Sequence, residues 1–415
     1  MHPFVCGQCS ATVFFENDFC LSCAAVLGFA PAEGRMLAFT LPADLPTGAP
    51  WPRGDGGMPL HPCANRDTAA HCNWMRDNGD ADIDAGTGAG TVAGTGAGTV
   101  AGTGAGTAAG TAPGAPVLCC SCRLTQLLPT LDLPENRSRW QRIEQAKRRL
   151  VHTLLGLGLV PQPKQGPHDT RGLAFLLLAD QPGAASVHTG HDSGTITLNV
   201  AEADDDHREA ERVRLGEPAR TLLGHLRHEA AHYLQHRWIA GTTAADTCRA
   251  SFGDERADYG QALARHYADG PPPDWAQHYI SAYASAHPWE DWAETCAHYL
   301  LVLDAVQTAS AWGLQLSGPV SAAPQARDLA DAPDVQQLVL QQWLPVAQFL
   351  NAMNRSLGRR DSYPFLLPPA VLNKMTVVQQ LLQAAAGGAG GAYGAPGTNT
   401  SGGANAVNSQ SALAR

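Results

Sequence analysis

The residues best equipped for chemistry in this chain are His228-Glu229-Ala230-Ala231-His232, inside Thr221–Trp238, TLLGHLRHEAAHYLQHRW. Leu222, Leu223, Leu226, Ala230 and Leu234 give that segment the apolar faces of a buried helix. Helical residues four apart share a face, so His228 and His232 can turn two imidazoles toward one zinc ion. Glu229, one residue round, can reach a water that the ion acidifies. Two neutral nitrogens, an acidic water and a carboxylate base are the parts of zinc-dependent hydrolysis.

A third ligand must come from elsewhere. The metzincin pattern HExxHxxGxxH needs Gly at 235 and His at 238, where this chain has Gln235 and Trp238. Downstream carboxylates remain. One set is Asp254, Glu255 and Asp258 in GDERADY; the other is Glu290 and Glu294 in HPWEDWAETCAHY. Pro288 suits the start of a helix, and Glu290 and Glu294 then share a face. With Glu290 on the metal, Glu294 would orient a ligating histidine. Tyr283 is placed to hydrogen-bond an oxyanion, with Tyr279 second to it. His225 and His236 extend the histidine row in supporting roles. His188 and His191 read as surface loop histidines, and Cys248 and Cys296 as small buried hydrophobes.

The other metal signal is N-terminal. Cys6-Gly7-Gln8-Cys9 and Cys20-Leu21-Ser22-Cys23 are two CxxC knuckles around a strand-like ATVFFENDF. Four thiolates close a tetrahedral structural zinc site, and the metal would supply much of the folding energy of so short a segment. Cys63, Cys72, Cys119 and Cys122 form a looser second set. Cys120 breaks the CxxC spacing and reads as spare, and His61 and His71 as solvated loop residues. The expected cofactor is therefore Zn²⁺, one ion catalytic and one or two structural.

These ligands need scaffolding, and 415 residues, 44% of them hydrophobic, can build two or three domains. The Gly/Ala/Thr repeat over 85–116 cannot bury enough surface to order itself. It reads as a flexible insert within the second ribbon, whose ends can still share one metal. The partition is ribbons over 1–84, the insert, completion of the second ribbon and a linker over 117–133, a catalytic domain over 134–383, and a disordered tail over 384–415. Within the catalytic domain, Arg139–Leu157 has helical spacing, with Lys147, Arg148 and Arg149 on its solvated face. Leu173–Ala179 and Gly190–Val200 read as strands of a small mixed sheet whose edge lies beside the metal and can pair with an extended peptide. Asp334–Leu357 is a helix interrupted near Pro345. The fold class is α+β: zinc-ribbon modules ahead of a mainly helical domain.

A net charge of −10 argues against general nucleic-acid binding. No run is long and apolar enough to span a bilayer. MHPFVCGQCS has neither a basic n-region nor an apolar h-region. Cysteines clustered for metal in a chain without an export signal point to a reducing cytoplasm.

HEAAH followed by PWEDWAE resembles the gluzincins, whose third ligand is a glutamate on a later helix. Their lethal-factor-like branch carries a tyrosine at the spacing of Tyr283 to Glu290. The whole chain is similar to bacterial zinc-binding metallopeptidases with an N-terminal zinc ribbon. The stretches that carry this are CGQC, CLSC, HPCAN, CNW, CSCRL, TGH, EADD, RTLLGHLRHE, GDERADY, SAYASAHPWEDWAE and DSYPF. They cover most of residues 1–380; the insert and Cys120 depart from the pattern away from the catalytic positions. The resemblance implies a catalytic core but no substrate. The resulting expectation is peptide-bond hydrolysis with His228, His232 and Glu290 on zinc, Glu229 as general base and Tyr283 at the oxyanion. A peptide or protein is the substrate, and a protein is the partner the ribbons would take. The alternative is a ribbon-based interaction or nucleic-acid-binding protein with a latent or inactive hydrolase core.

Overall fold

The computed structural model describes residues 3–76, 117–183, 185–326 and 333–388. The repeat over 85–116 and residues 389–415 lie outside the described residues. The architecture is α+β, with small hairpins first and helices after.

Two short strands, β1 (Phe4–Val5) and β2 (Thr12–Val13), pair on either side of the first CxxC knuckle. The hairpin β3 (Val26–Ala30) and β4 (Arg35–Phe39) follows, then β5 (His61–Pro62) and β6 (Met75–Arg76). Met75 packs directly on Gly28, where a Cβ would lie 2.4 Å from Met75 Sδ and would displace that side chain. Asn73 Nδ2 donates to the carbonyls of Phe15 at 2.6 Å and Asn17 at 2.9 Å, so the two cysteine modules are stitched together. Phe15, Phe29 and Trp74 form one aromatic cluster with His152 of the next helix. The modules therefore share a core with the domain that follows rather than standing apart from it.

That helix, α1 (Pro134–Gly156), starts five residues ahead of the helical spacing expected from Arg139, because Pro134 suits its first turn. It buries Trp140, Ile143, Leu150, Val151 and Leu154. The expectation that Lys147 and Arg148 face solvent is wrong. Lys147 and its partner Glu144 are both fully buried, with Nζ 2.8 Å from Oε1. Arg148 is buried and donates to the carbonyls of Ala70 and His71. Only Arg149, paired with Glu16, lies toward water. α1 is clad on several sides, so its cations meet carbonyls and a carboxylate in place of solvent.

A mixed sheet runs β7–β8–β10–β9, from β7 (Thr125–Leu127), β8 (Ala174–Leu178), β9 (Gly190–Asp192) and β10 (Thr195–Asn199). β8 is parallel to both neighbours, and the edge strand β9 is antiparallel to β10, with Ile196 opposite His191. Helices α2 (Asp205–Leu215) and α3 (Leu222–Leu234) follow. Thr221 Oγ1 caps α3 by accepting from Gly224 N at 3.0 Å. Next come α4 (Ala244–Phe252), α5 (Tyr259–Asp269) and α6 (Pro288–Ala311). The fully buried Trp292 donates through Nε1 to the Ala231 carbonyl at 2.9 Å, fixing α6 against α3. Asp304 of α6 takes Arg227 of α3 and, at 2.6 Å, Thr153 of α1, so one carboxylate ties three helices.

The interruption near Pro345 takes the form of a wide turn over Leu338–Trp343 ahead of α7 (Leu344–Ser356). Pro345 has no N–H to continue the ladder and sits in the first turn of the new helix. The last helix, α8 (Pro369–Gly388), runs five residues into the segment read as tail. Among the described residues no helix is long and apolar enough to cross a membrane.

Candidate functional site

Three groups of metal-competent side chains occur among the described residues: Cys6, Cys9, Cys20, Cys23; Cys63, Cys72, Cys119, Cys122; and His228, His232, Glu290. In the first, Cys6 and Cys23 sulfurs are 3.7 Å apart and Cys9 and Cys20 3.6 Å. In the second, Cys72 and Cys119 are 3.7 Å apart. A disulfide needs ~2.05 Å, whereas four thiolates at ~2.3 Å from one zinc stand about 3.8 Å apart. The spacing is that of shared-metal ligands. Backbone N–H groups of Cys119 and Cys122 also point at the sulfurs of Cys63 and Cys119, at 3.3 and 3.4 Å. Cys120 is buried but outside the set. His61 lies in β5, and His71 has a positive φ and lends its carbonyl to Arg148; neither joins a group.

The third group is built by α3 and α6. The helical spacing of His228 and His232 brings their Nε2 atoms to 3.2 Å. Glu290, in the first turn of α6, brings Oε2 to 3.1 Å from His228 Nε2 and 3.5 Å from His232 Nε2. Ligands at ~2.0–2.1 Å from a tetrahedral zinc stand about 3.3 Å apart. Glu290 Oε2 is buried without a hydrogen-bond partner. Three lone-pair atoms thus converge on one point, an arrangement that a cation satisfies and an apoprotein does not. Two imidazoles and a carboxylate are a donor set suited to zinc.

The surroundings orient these side chains. His228 Nδ1 faces Glu294 Oε1 at 2.7 Å, and Ser281 Oγ donates to Glu294 Oε2 at 2.8 Å. Burial works against the charge of Glu294, but the His228 bond outweighs it and brings the carboxyl down to about 2. An ionised Glu294 claims the Nδ1 proton and leaves the His228 Nε2 lone pair toward the metal position. Tyr259, at the start of α5, donates its hydroxyl to Glu290 Oε1 at 2.8 Å. Sequence reasoning missed it; the only signal was a tyrosine closing GDERADY, weighed there for its carboxylates. Burial, then the Glu290 charge, raises the Tyr259 hydroxyl well above the ordinary tyrosine range, so it stays a donor.

The carboxylates of GDERADY are occupied elsewhere. Asp254 pairs with Arg256, Glu255 pairs with Arg249, and Asp258 caps α5 by accepting from Gln261 N at 2.9 Å. Tyr283 lies with its ring 6.2 Å from that of His228, and burial, then Glu290, raises its hydroxyl far above the usual range. Tyr279 packs under the Lys374 ammonium instead, 4.2 Å from the ring centre. His188 is exposed, as a loop residue should be. His191 is not a simple surface histidine. Its ring stacks 6.3 Å from His232, and Nε2 accepts from Gly194 N at 3.0 Å. The β9–β10 turn folds it back over α3, which strand alternation alone does not disclose. Trp289 packs 4.2 Å from His232 on another side. His236 Nε2 meets the Thr170 carbonyl at 2.9 Å. Cys248 and Cys296 are buried, with Gln235 donating to Cys248.

Glu229 and His232 are buried. Glu229 Oε1 is 3.3 Å from His225 Nε2, while its Oε2 is buried without a partner. Burial raises the Glu229 carboxyl, but the His225 bond and the flanking imidazoles pull it below its ordinary value. A buried, ionised carboxylate oxygen with free lone pairs is equipped to accept a proton.

Residues 136–381 match a family described as "putative zinc-binding metallo-peptidase", and residues 3–84 match one described as a zinc-ribbon domain. An uncharacterized protein of Mycobacterium bovis is 38% identical over 389 residues, spanning 93% of this chain and 96% of its own. Uncharacterized proteins of two Mycobacterium tuberculosis strains match with the same identity and coverage. No solved structure gives a significant match. The chain belongs to this family of zinc-binding metallo-peptidases and carries a zinc-ribbon domain at its N-terminal side.

Proposed function

We propose that this member of the family hydrolyses peptide bonds with Glu229 as general base and with His228, His232 and Glu290 as the ligands of a zinc ion. The observation that supports this most is the convergence of His228 Nε2, His232 Nε2 and Glu290 Oε2, with the buried Glu229 carboxylate in reach of both imidazoles and its Oε2 unpartnered. A zinc ion held by His228, His232 and Glu290 would supply an acidified water and a Lewis acid for the scissile carbonyl. Glu229 Oε2 takes one proton from the attacking water, whose oxygen bonds to the carbonyl carbon. Negative charge then gathers on the carbonyl oxygen, and the Tyr283 hydroxyl, kept protonated by its burial, donates to it. The C–N bond breaks as Glu229 returns its proton to the departing amine nitrogen. Glu294 and Tyr259 hold His228 and Glu290 in place through these steps. His191 and Trp289 wall the His232 side against bulk water. The thiolate groups take structural zinc, and the substrate is a peptide or protein.

Glu229→Gln tests the reading. The variant should keep the zinc content of the wild type and lose at least about a thousandfold in kcat against a peptide library. Wild-type protein that holds its zinc and cleaves no peptide would remove peptide hydrolysis as its activity.

A further inference from the structure

Glu229 works as a base only if one carboxylate oxygen is kept toward the water, and the torsion that turns a Glu carboxylate is soft. Something must therefore fix it. His225 lies four residues before Glu229 on α3, the spacing at which helical side chains meet. Its Nε2 is 3.3 Å from Glu229 Oε1. Glu229 Oε2 is left buried with no partner. One oxygen lies against His225, and the other has no partner, on a carboxylate that feels the charges of His228 and His232.

His225 is itself held. Its Nδ1 is 3.4 Å from Glu202 Oε2 and 3.3 Å from Arg220 Nη2. Arg220 also donates to Glu202 Oε1 at 2.7 Å and, through Nη1, to Glu217 Oε1 at 3.0 Å. Glu202 is buried and belongs to the turn after β10, while Arg220 and Glu217 precede α3. Glu202, Arg220 and Glu229, with the His228 ring 6.5 Å away, are the polar groups around the imidazole. The bond to Glu229 does not depend on the charge of the ring. A neutral ring accepts at Nδ1 from Arg220, and a charged ring sets its Nδ1 3.4 Å from the Glu202 carboxylate. In both, Nε2 carries a proton and lies 3.3 Å from Glu229 Oε1.

We infer that His225, anchored by Glu202 and Arg220, is a positioning residue that turns the Glu229 carboxylate so that Oε2 faces the reacting water. This rests on the reading of Glu229 as base. A merely structural histidine would lower stability or metal content. A positioning one lowers kcat through Glu229 alone.

The experiment uses the full chain with its zinc. His225→Leu should leave zinc content and KM within about twofold and lower kcat by about 10–100-fold, the usual cost of losing a group that orients an active-site residue. His225→Gln, which restores an N–H near the Nε2 position, should recover most of that loss. In a Glu229→Gln background His225→Leu should cost nothing further in residual rate. NMR of ¹⁵N-histidine protein reads the bond without turnover. Wild type should show an exchange-protected His225 Nε2–H resonance that shifts in Glu229→Gln and is unaffected by Cys9→Ser. An equal loss of kcat in both backgrounds, or no Glu229-dependent shift, overturns the inference. If His225→Leu does not fold, the Gln variant and the resonance decide alone. Wild type that cleaves nothing while the resonance shifts as expected would defeat the peptidase reading and leave the pairing intact.

Discussion

The two four-cysteine groups have the same ligands and nearly the same sulfur spacing, yet opposite surroundings. In the first, Cys9 is exposed and Cys23 half-buried, and the neighbouring Phe19 and Leu21 face water. In the second, all four cysteines are buried and α1 lies against them. Cys122 Sγ is 3.7 Å from Glu144 Oε2, and Arg148 bonds to the carbonyls just ahead of Cys72. A zinc bound by four thiolates is net negative and costly to bury without a nearby cation. Burial opposes the charge of Arg148, but Cys72 and Cys122 more than restore it and raise its pKa. The first group organises a surface ribbon. The second organises the joint between the ribbons and the helical domain.

That contrast can be broken by mutation. The largest effect belongs to Cys72→Ser, which should lose one zinc and lower the melting temperature of the whole chain by about 10 °C or more, since metal binding there is folding energy. Thermal unfolding with metal analysis reads both. Arg148→Met should follow, at about 3 kcal/mol, because it strips a buried cation from the thiolates; chemical denaturation measures it. Cys9→Ser should also release one zinc but cost the helical domain less than about 1 kcal/mol, with limited proteolysis confined to the first 40 or so residues. A global collapse in Cys9→Ser would erase the distinction.

The smallest effect lies outside both groups and serves as their baseline. Burial raises the Glu202 carboxyl, but His225 and Arg220 bring it down to about 2. A depressed folded value means that its stabilisation is present above the unfolded value of ~4.3 and is lost as pH falls from there toward about 2. Glu202→Gln should flatten the acid limb of the stability curve in that window while leaving the thiolate groups untouched.

The contrast also marks what was legible in the sequence. CxxC knuckles and HExxH are local patterns, and Glu290 with Glu294 could be placed by helical spacing. Lys147 and Arg148 were misread because a run of three cations resembles a solvated face. Their partners are Glu144, one turn away, and carbonyls of Ala70 and His71 far back in the chain. Tyr259 and His191 reach the site only once α5 and the β9–β10 turn fold over α3 and α6. No periodicity records such a return. His225 was seen as part of a histidine row, but its ion-pair contact with Glu202 crosses from the turn after β10 to the helix and is set by tertiary structure.

The most direct test of the account is an anomalous difference map collected at the zinc edge from crystals of the purified protein. The account predicts three peaks, one in each cysteine group and one equidistant from His228 Nε2, His232 Nε2 and Glu290 Oε2. Peaks in the cysteine groups with none between the histidines and Glu290 would contradict it.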